Sequence, residues 1–142
     1  MAKSKLRIES VTPFASLSLT GKDLDPQKIT DEFGVNPTKS FKRGEKRQNG
    51  EKDRSHGLWQ LSSDEVIETI DPVLHIKWLI DQIEPAKKKL LTISKDDSIH
   101  ARIKCFWVMP SSHEYLIIEP ELQQRIAELN IRFELVVLSP DY

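Results

Sequence analysis

The chain has 142 residues, with 21 Lys and Arg against 22 Asp and Glu and a formal net charge of −1, so no overall charge draws it to nucleic acid or to an anionic membrane. At 38% hydrophobic and 30% charged residues it has the composition of an ordinary globular domain, and a chain of this size buries roughly two-thirds of its unfolded surface without needing disulfides. Its one cysteine, Cys105, has no internal partner, which fits a reducing compartment.

Lys3 and Lys5 are followed by Leu6-Arg7-Ile8-Glu9-Ser10, an alternation where a signal peptide would place an apolar run. No stretch approaches the roughly 18 continuous apolar residues of a membrane span. The expectation is a cytoplasmic protein with no membrane contact and one domain over residues 1–142. Ala15, Leu17 and Leu19 then alternate with Ser16, Ser18 and Thr20, the pattern of a half-buried strand. Gly21 ends it. Asp25-Pro26 supplies an N-cap oxygen and a proline at the first helical position, predicting a helix to about Phe33, and Gly34 tolerates the left-handed turn that closes one. Val35 to Arg43 holds a second extended piece, which Pro37 confines to an edge or to a strand's beginning. Residues 44–56 have no apolar side chain and predict a solvated, mobile loop. Gly57 to Ser62 resumes the alternation with Trp59 and Leu61 on one face, so loop and flanks read as a long hairpin.

Asp71-Pro72 repeats the capping signal and opens the longest helix, with Val73, Leu74, Ile76, Leu79, Ile80 and Ile83 as its apolar stripe. Pro85 kinks or ends it. Ala86 to Ile93 adds a turn or two, with Lys87, Lys88 and Lys89 placed for a helix C-terminus. A strand follows from Ala101 to Val108, with Ala101, Ile103, Cys105 and Trp107 facing one way. Glu119-Pro120 opens a last helix carrying Leu122, Ile126 and Leu129, Asn130 stops it, and a final strand puts Ile131, Phe133, Leu135 and Val137 on its buried face.

The two ends of the chain resemble each other. Leu24-Asp25-Pro26 through Phe33-Gly34-Val35 parallels Ile118-Glu119-Pro120 through Leu129-Asn130-Ile131, each between two strands, as a βαβ-type internal repeat. The expected fold class is α+β: a two-layer sandwich with a mainly antiparallel sheet, helices on one face and a ferredoxin-like order in its first six elements.

The series Leu19-Thr20-Gly21, Leu24-Asp25-Pro26, Ile29, Phe33-Gly34-Val35-x-Pro37-Thr38, Lys42-Arg43-Gly44 and Gly57-Leu58-Trp59-Gln60-Leu61-Ser62 resembles the bacterial domain-of-unknown-function 4279 family. The strand from Ala101 to Trp107, then Pro120-Glu121-Leu122 and a final strand, agree with it. The chain departs from the family at Asn130, where a glycine is expected. The resemblance implies one domain and carries no activity.

The four histidines at positions 56, 75, 100 and 113 show no zinc spacing, and Asp71 beside His75 serves better as a cap than as a ligand. No metal or cofactor is expected. Cys105 lies mid-strand on the apolar face, where a thiol is inert packing. Ser111-Ser112-His113-Glu114 are adjacent and cannot form a triad, and the chain has neither a nucleophile elbow nor a phosphate-cradling glycine motif. Charge placement is more suggestive. Lys39, Lys42, Arg43, Lys46, Arg47, Lys52 and Arg54 face only Glu45, Glu51 and Asp53 between them, a local +4. This is either an anion contact using Lys42, Arg43, Lys46 and Arg47 with His56 and Trp59 beside it, or a solubilising loop. Trp59 itself is open between core and cleft, whereas Trp78 and Trp107 read as core.

The solvent side of the sheet is the second candidate, with Arg102, Lys104, Phe106, Arg132 and Glu134 pointing outward alongside Ser16 and Ser18. It lacks the aromatic signature of RNA-recognition domains. The leading reading is a non-catalytic binding module for a protein partner, in a regulatory or toxin-neutralising role. The alternative is RNA or nucleotide binding by the basic hairpin loop, and a third is an enzyme whose acid-base residues, such as His56 and His113, come together from distant segments. Trp78, off the main stripe of the long helix, admits either a two-layer core or a homodimer contact.

Overall fold

The computed structural model describes residues 12–47, 53–110 and 114–139. Both Asp-Pro pairs act as caps: Gln27 N–H donates to Asp25 Oδ1 at 3.1 Å and Val73 N–H donates to Asp71 Oδ1 at 3.0 Å, opening helices α1 (Pro26–Phe33) and α2 (Pro72–Ile83). Gly34 closes α1 at φ 70°, its N–H donating to the Thr30 carbonyl. Pro85 ends α2 in a 3-10 turn, Glu84–Ala86, and α3 (Lys87–Ser94) restarts at once. The three lysines therefore open α3 rather than close a helix, where positive charge is unfavourable. Lys87 is offset by an ion pair at 2.9 Å with Glu128 on α4 (Pro120–Glu128); its ammonium, through that hydrogen bond, holds the Glu128 carboxyl below the ordinary range. Asn130 ends the last helical segment at φ 55°, a left-handed position that asparagine tolerates better than most residues, so the missing glycine leaves the turn intact.

The five strands are β1 (Phe14–Gly21), β2 (Lys39–Phe41), β3 (Gly57–Ser62), β4 (His100–Val108) and β5 (Arg132–Leu138), in the order β2-β3-β1-β4-β5. Every neighbouring pair is antiparallel except β4 with β5. The fold is α+β. The sequence similarity between the two ends does not extend to strand placement: β4, α4 and β5 form a crossover between adjacent parallel strands, whereas β3 lies between β1 and β2.

Ala15, Leu17 and Leu19 of β1 meet Trp59 and Leu61 of β3 and Ile103 and Cys105 of β4 in one buried cluster with Ile29, Phe33, Ile76, Ile80, Leu90 and Leu122 from the helices. The period-two pattern of the strands and the helical stripes thus converge on one layer. β5 departs from expectation. Ile131 and Phe133 pack against this core, but Leu135 and Val137 are 43% and 40% exposed, because β5 is an edge strand and the helical layer stops short of its C-terminal half.

The polar loop is shorter than residues 44–56. Gly44 N–H donates to the Arg54 carbonyl at 2.8 Å, Arg54 N–H donates to the Glu45 carbonyl at 2.7 Å, and Lys46 bridges to Asp53, so the hairpin ladder continues into it. Residues 48–52 of that loop, the N-terminal alternation at 6–10, and Ser111, Ser112 and His113 lie outside the described residues.

Candidate functional site

Because side chains alternate along each strand, the residues that do not enter the core form the opposite face. β1 contributes Phe14, Ser16, Ser18 and Thr20, and β4 contributes His100, Arg102, Lys104 and Phe106 in direct register with them. Gln60 of β3 adjoins Ser18, whose hydroxyl donates to Gln60 Oε1 at 3.1 Å. Ser16 and Ser18 are 4% and 8% exposed although they belong to this face; their short side chains lie beneath longer neighbours, making a shallow trough down the middle of the sheet. At one end of the trough Phe14 and Phe106 stack with ring centroids 5.3 Å apart and planes 17° from parallel. At the other, Arg102 and Arg132 each approach Glu134, at 3.6 and 3.9 Å. Lys104 has no ion-pair partner among the described residues. With Lys39 of β2 on the same face, opposite Gln60, four cations share it with one carboxylate.

The basic hairpin is less free than its composition suggests. Lys42 pairs with Asp25 at 3.6 Å and Arg43 with Asp23 at 3.0 Å, which ties the hairpin to the start of α1 and cancels two of its charges. Arg54 lies over the Phe41 ring at 4.0 Å, and His56 meets the same ring edge-on at 6.1 Å. Lys46 and Arg47 are exposed. Trp59 is not a surface residue at all: it is fully buried, packs edge-on against Phe33 at 5.3 Å, and its indole N–H donates to Thr30 Oγ1 at 3.1 Å. That contact anchors α1 to β3 and removes Trp59 from the candidate binding residues. Of the other candidates, Lys42, Arg43, Lys46, Arg47 and His56 gather on the hairpin, and Arg102, Lys104 and Phe106 gather on the sheet face.

The model of one domain family of unknown function, DUF4279, matches residues 9–139. The chain belongs to this family. No match exists among curated proteins or among solved structures. The residues that carry the DUF4279 resemblance do mostly structural work here: Leu19, Leu24, Ile29, Phe33 and Trp59 are in the core, and Gly34 is the α1 cap. The segment Gly34 to Thr38 also lines a groove of about 410 Å³ together with Leu61, Val66 and Trp78.

No cluster of three or more His, Cys, Asp or Glu that could hold a metal exists among the described residues of this DUF4279 protein. Nor, among those residues, is any helix long and apolar enough to cross a membrane. His75 is fully buried, with Nδ1 2.6 Å from Ser63 Oγ and Nε2 2.8 Å from the Thr69 carbonyl. Burial pushes the Cys105 thiol up to about 12, the opposite of activation. Two aromatic contacts of these surfaces escaped the sequence reading. The Phe14–Phe106 stack was accessible in principle, since Phe14 belongs to the hydroxyl face of its strand, but it required the β1–β4 register. The seat of Arg54 on Phe41 required the hairpin register.

Proposed function

We propose that this protein is a binding module of the bacterial cytoplasm that recognises a protein partner with an acidic surface, and that the trough face of its sheet is the contact. The observation that carries this reading is the stacked Phe14–Phe106 pair with Lys104 beside it: a preformed apolar anchor next to an unpaired cation. Protein interfaces concentrate binding energy in such aromatic anchors and surround them with polar groups that set specificity. The four-to-one excess of cations on the face selects an acidic partner. The basic hairpin supports the nucleic-acid alternative less well, because Lys42 and Arg43 already hold carboxylates and phosphate binding needs several free convergent cations.

The test is capture from the source organism's lysate by immobilised wild-type protein and by the variants F106A, K104E and K88E, each with and without nuclease. Lys88 is an exposed residue of α3 and serves as the control. A stoichiometric protein that survives nuclease, is retained by K88E and is lost from both F106A and K104E supports the reading. Retention by the face variants sinks it. Captured nucleic acid that disappears with nuclease and weakens steeply with salt turns the assignment to the alternative.

A further inference from the structure

At the far end of the same sheet face the fold sets two like charges directly against each other. The parallel register of β4 and β5 pairs Arg102 with Arg132, and like charges opposite one another across two strands are destabilising. Both lean on a single carboxylate, Glu134, at the long distances of 3.6 and 3.9 Å, so two guanidiniums share one negative charge. The antiparallel register with β1 then places Ser18 opposite Arg102 and Thr20 opposite His100. Three adjacent strands thus aim hydroxyl, imidazole and guanidinium groups into one cavity of about 570 Å³, walled on its other side by Ile99 and Ala101. That volume falls in the roughly 300–1,000 Å³ range of small-molecule sites.

We infer that this corner is a binding site for the phosphate group of a small ligand, held by Arg102 and Arg132 with Thr20 and His100 as further hydrogen-bonding groups. A phosphate dianion carries the two charges and the several acceptor oxygens that two planar guanidinium forks and the Thr20 hydroxyl match. A carboxylate carries one charge and leaves one arginine dependent on Glu134. The inference is independent of what covers the Phe14–Phe106 end of the face, since it uses neither ring nor Lys104. Local rules are broken where function demands it, and an arginine pair of this kind is such a break. Glu134 acts as an internal counter-ion that an incoming phosphate replaces, which makes its removal diagnostic.

The experiment titrates phenyl phosphate, inorganic phosphate and benzoate into the full chain at matched ionic strength, followed by amide chemical shifts and by thermal melting. Arg102 and Arg132 side chains are 49% and 76% exposed, so R102Q and R132Q leave the core untouched. Phenyl phosphate should shift amides of β1, β4 and β5 around the cavity and bind at least tenfold more tightly than benzoate. Each arginine substitution should weaken it at least tenfold, and K88E, on the exposed side of α3, should leave it within twofold. E134Q should bind several-fold tighter than wild type, and added phosphate should raise its melting temperature more than that of wild type. Equal affinity for inorganic phosphate and phenyl phosphate supports free phosphate as the ligand; preference for the ester supports an organic phosphate. Unchanged binding in R102Q and R132Q, weaker binding in E134Q, or an equal response to sodium chloride overturns the inference.

Discussion

Ser63 Oγ and His75 Nδ1 lie 2.6 Å apart in a place that neither residue shares with solvent. The Thr69 carbonyl can only accept, so Nε2–H of His75 donates to it at 2.8 Å. With the ring hydrogen on Nε2, Nδ1 accepts the Ser63 hydroxyl, and Ser63 Oγ in turn accepts the Ala15 N–H at 2.9 Å. A serine beside a histidine has the parts of a nucleophile and its base, but here the hydroxyl is fully spent within the core. The chain of bonds fastens the start of β1 to the β3–α2 connection and to α2, and no described buried side-chain polar atom lacks a partner.

Replacing Ser63 by Ala should therefore destabilise the fold by about 2–4 kcal/mol, because the Ala15 N–H and His75 Nδ1 are both left buried and unpaired at roughly 1–3 kcal/mol each. Urea unfolding of wild type and S63A measures this. A loss under about 0.5 kcal/mol would mean that the network does not hold β1 to α2.

Gly57 presents a different kind of constraint. A Cβ added there would lie 2.5 Å from the Leu24 carbonyl oxygen, a backbone atom that cannot swing aside as a flexible side chain would. Gly57 pairs with Gly21 at the end of the β1–β3 ladder, so relief would require parting that ladder from the turn before α1. G57A should cost about 3 kcal/mol, at the upper end of overpacking effects. Gly44, at φ 89° with nothing near its missing side chain, provides the comparison: G44A should lose about 1 kcal/mol, the usual cost of forcing an L-residue into the left-handed region. Equal melting temperatures for the two variants would refute the difference.

What was legible in the sequence was what local chemistry dictates. Asp25-Pro26 and Asp71-Pro72 announce two helix starts because the cap and its proline are adjacent residues, and the alternation in β1, β3 and β4 names the core face without any knowledge of neighbours. The Ser63–His75 bond was hidden because its partners belong to different elements and meet only when α2 folds back onto β1 and β4. The Arg102–Arg132 opposition was hidden for the same reason: each arginine is an ordinary outward residue of its own strand, and only the β4–β5 register makes them opposite. Leu135 and Val137 show the reverse failure. Their alternation is that of a buried face, but an edge strand's burial depends on how far the helical layer reaches, which no local pattern records.

Cys105 gives the pH dependence with the clearest sign. Burial raises its folded value to about 12, above the roughly 8.5 of an unfolded thiol, so the neutral thiol favours the folded state. This contribution is complete below about pH 8.5 and is lost as pH climbs toward 12. Stability of wild type should accordingly fall across that window relative to C105A, which has no titrating group there. At pH 8, iodoacetamide should modify Cys105 only through the unfolded state, so urea should accelerate it in step with the unfolded fraction. Rapid alkylation of the folded protein would show that the thiol is accessible.

Arg125 is the main charged link between α4 and α2. Its Nε and Nη2 donate to the two carboxylate oxygens of Glu84 at 3.0 and 3.2 Å, and Nη2 also donates to Asp81 at 2.6 Å. Its hydrogen bonds to Glu84 first, then to Asp81, push the guanidinium further up, so it stays charged at every working pH. Its side chain is 25% exposed and its partners more so, and solvent therefore screens much of the attraction. R125Q should lose about 1 kcal/mol, appearing as a melting temperature lower by about 3–5 °C for a chain of this size. The deficit should shrink in 1 M sodium chloride, where charges more than about 3 Å apart at the surface are shielded. It should also be mostly absent when E84Q and D81N are already in place, because the arginine then has no carboxylate to lose. A deficit that persists unchanged in high salt and in the triple variant would assign the effect to packing of the arginine stem against the helices, and the ion pairs would hold nothing.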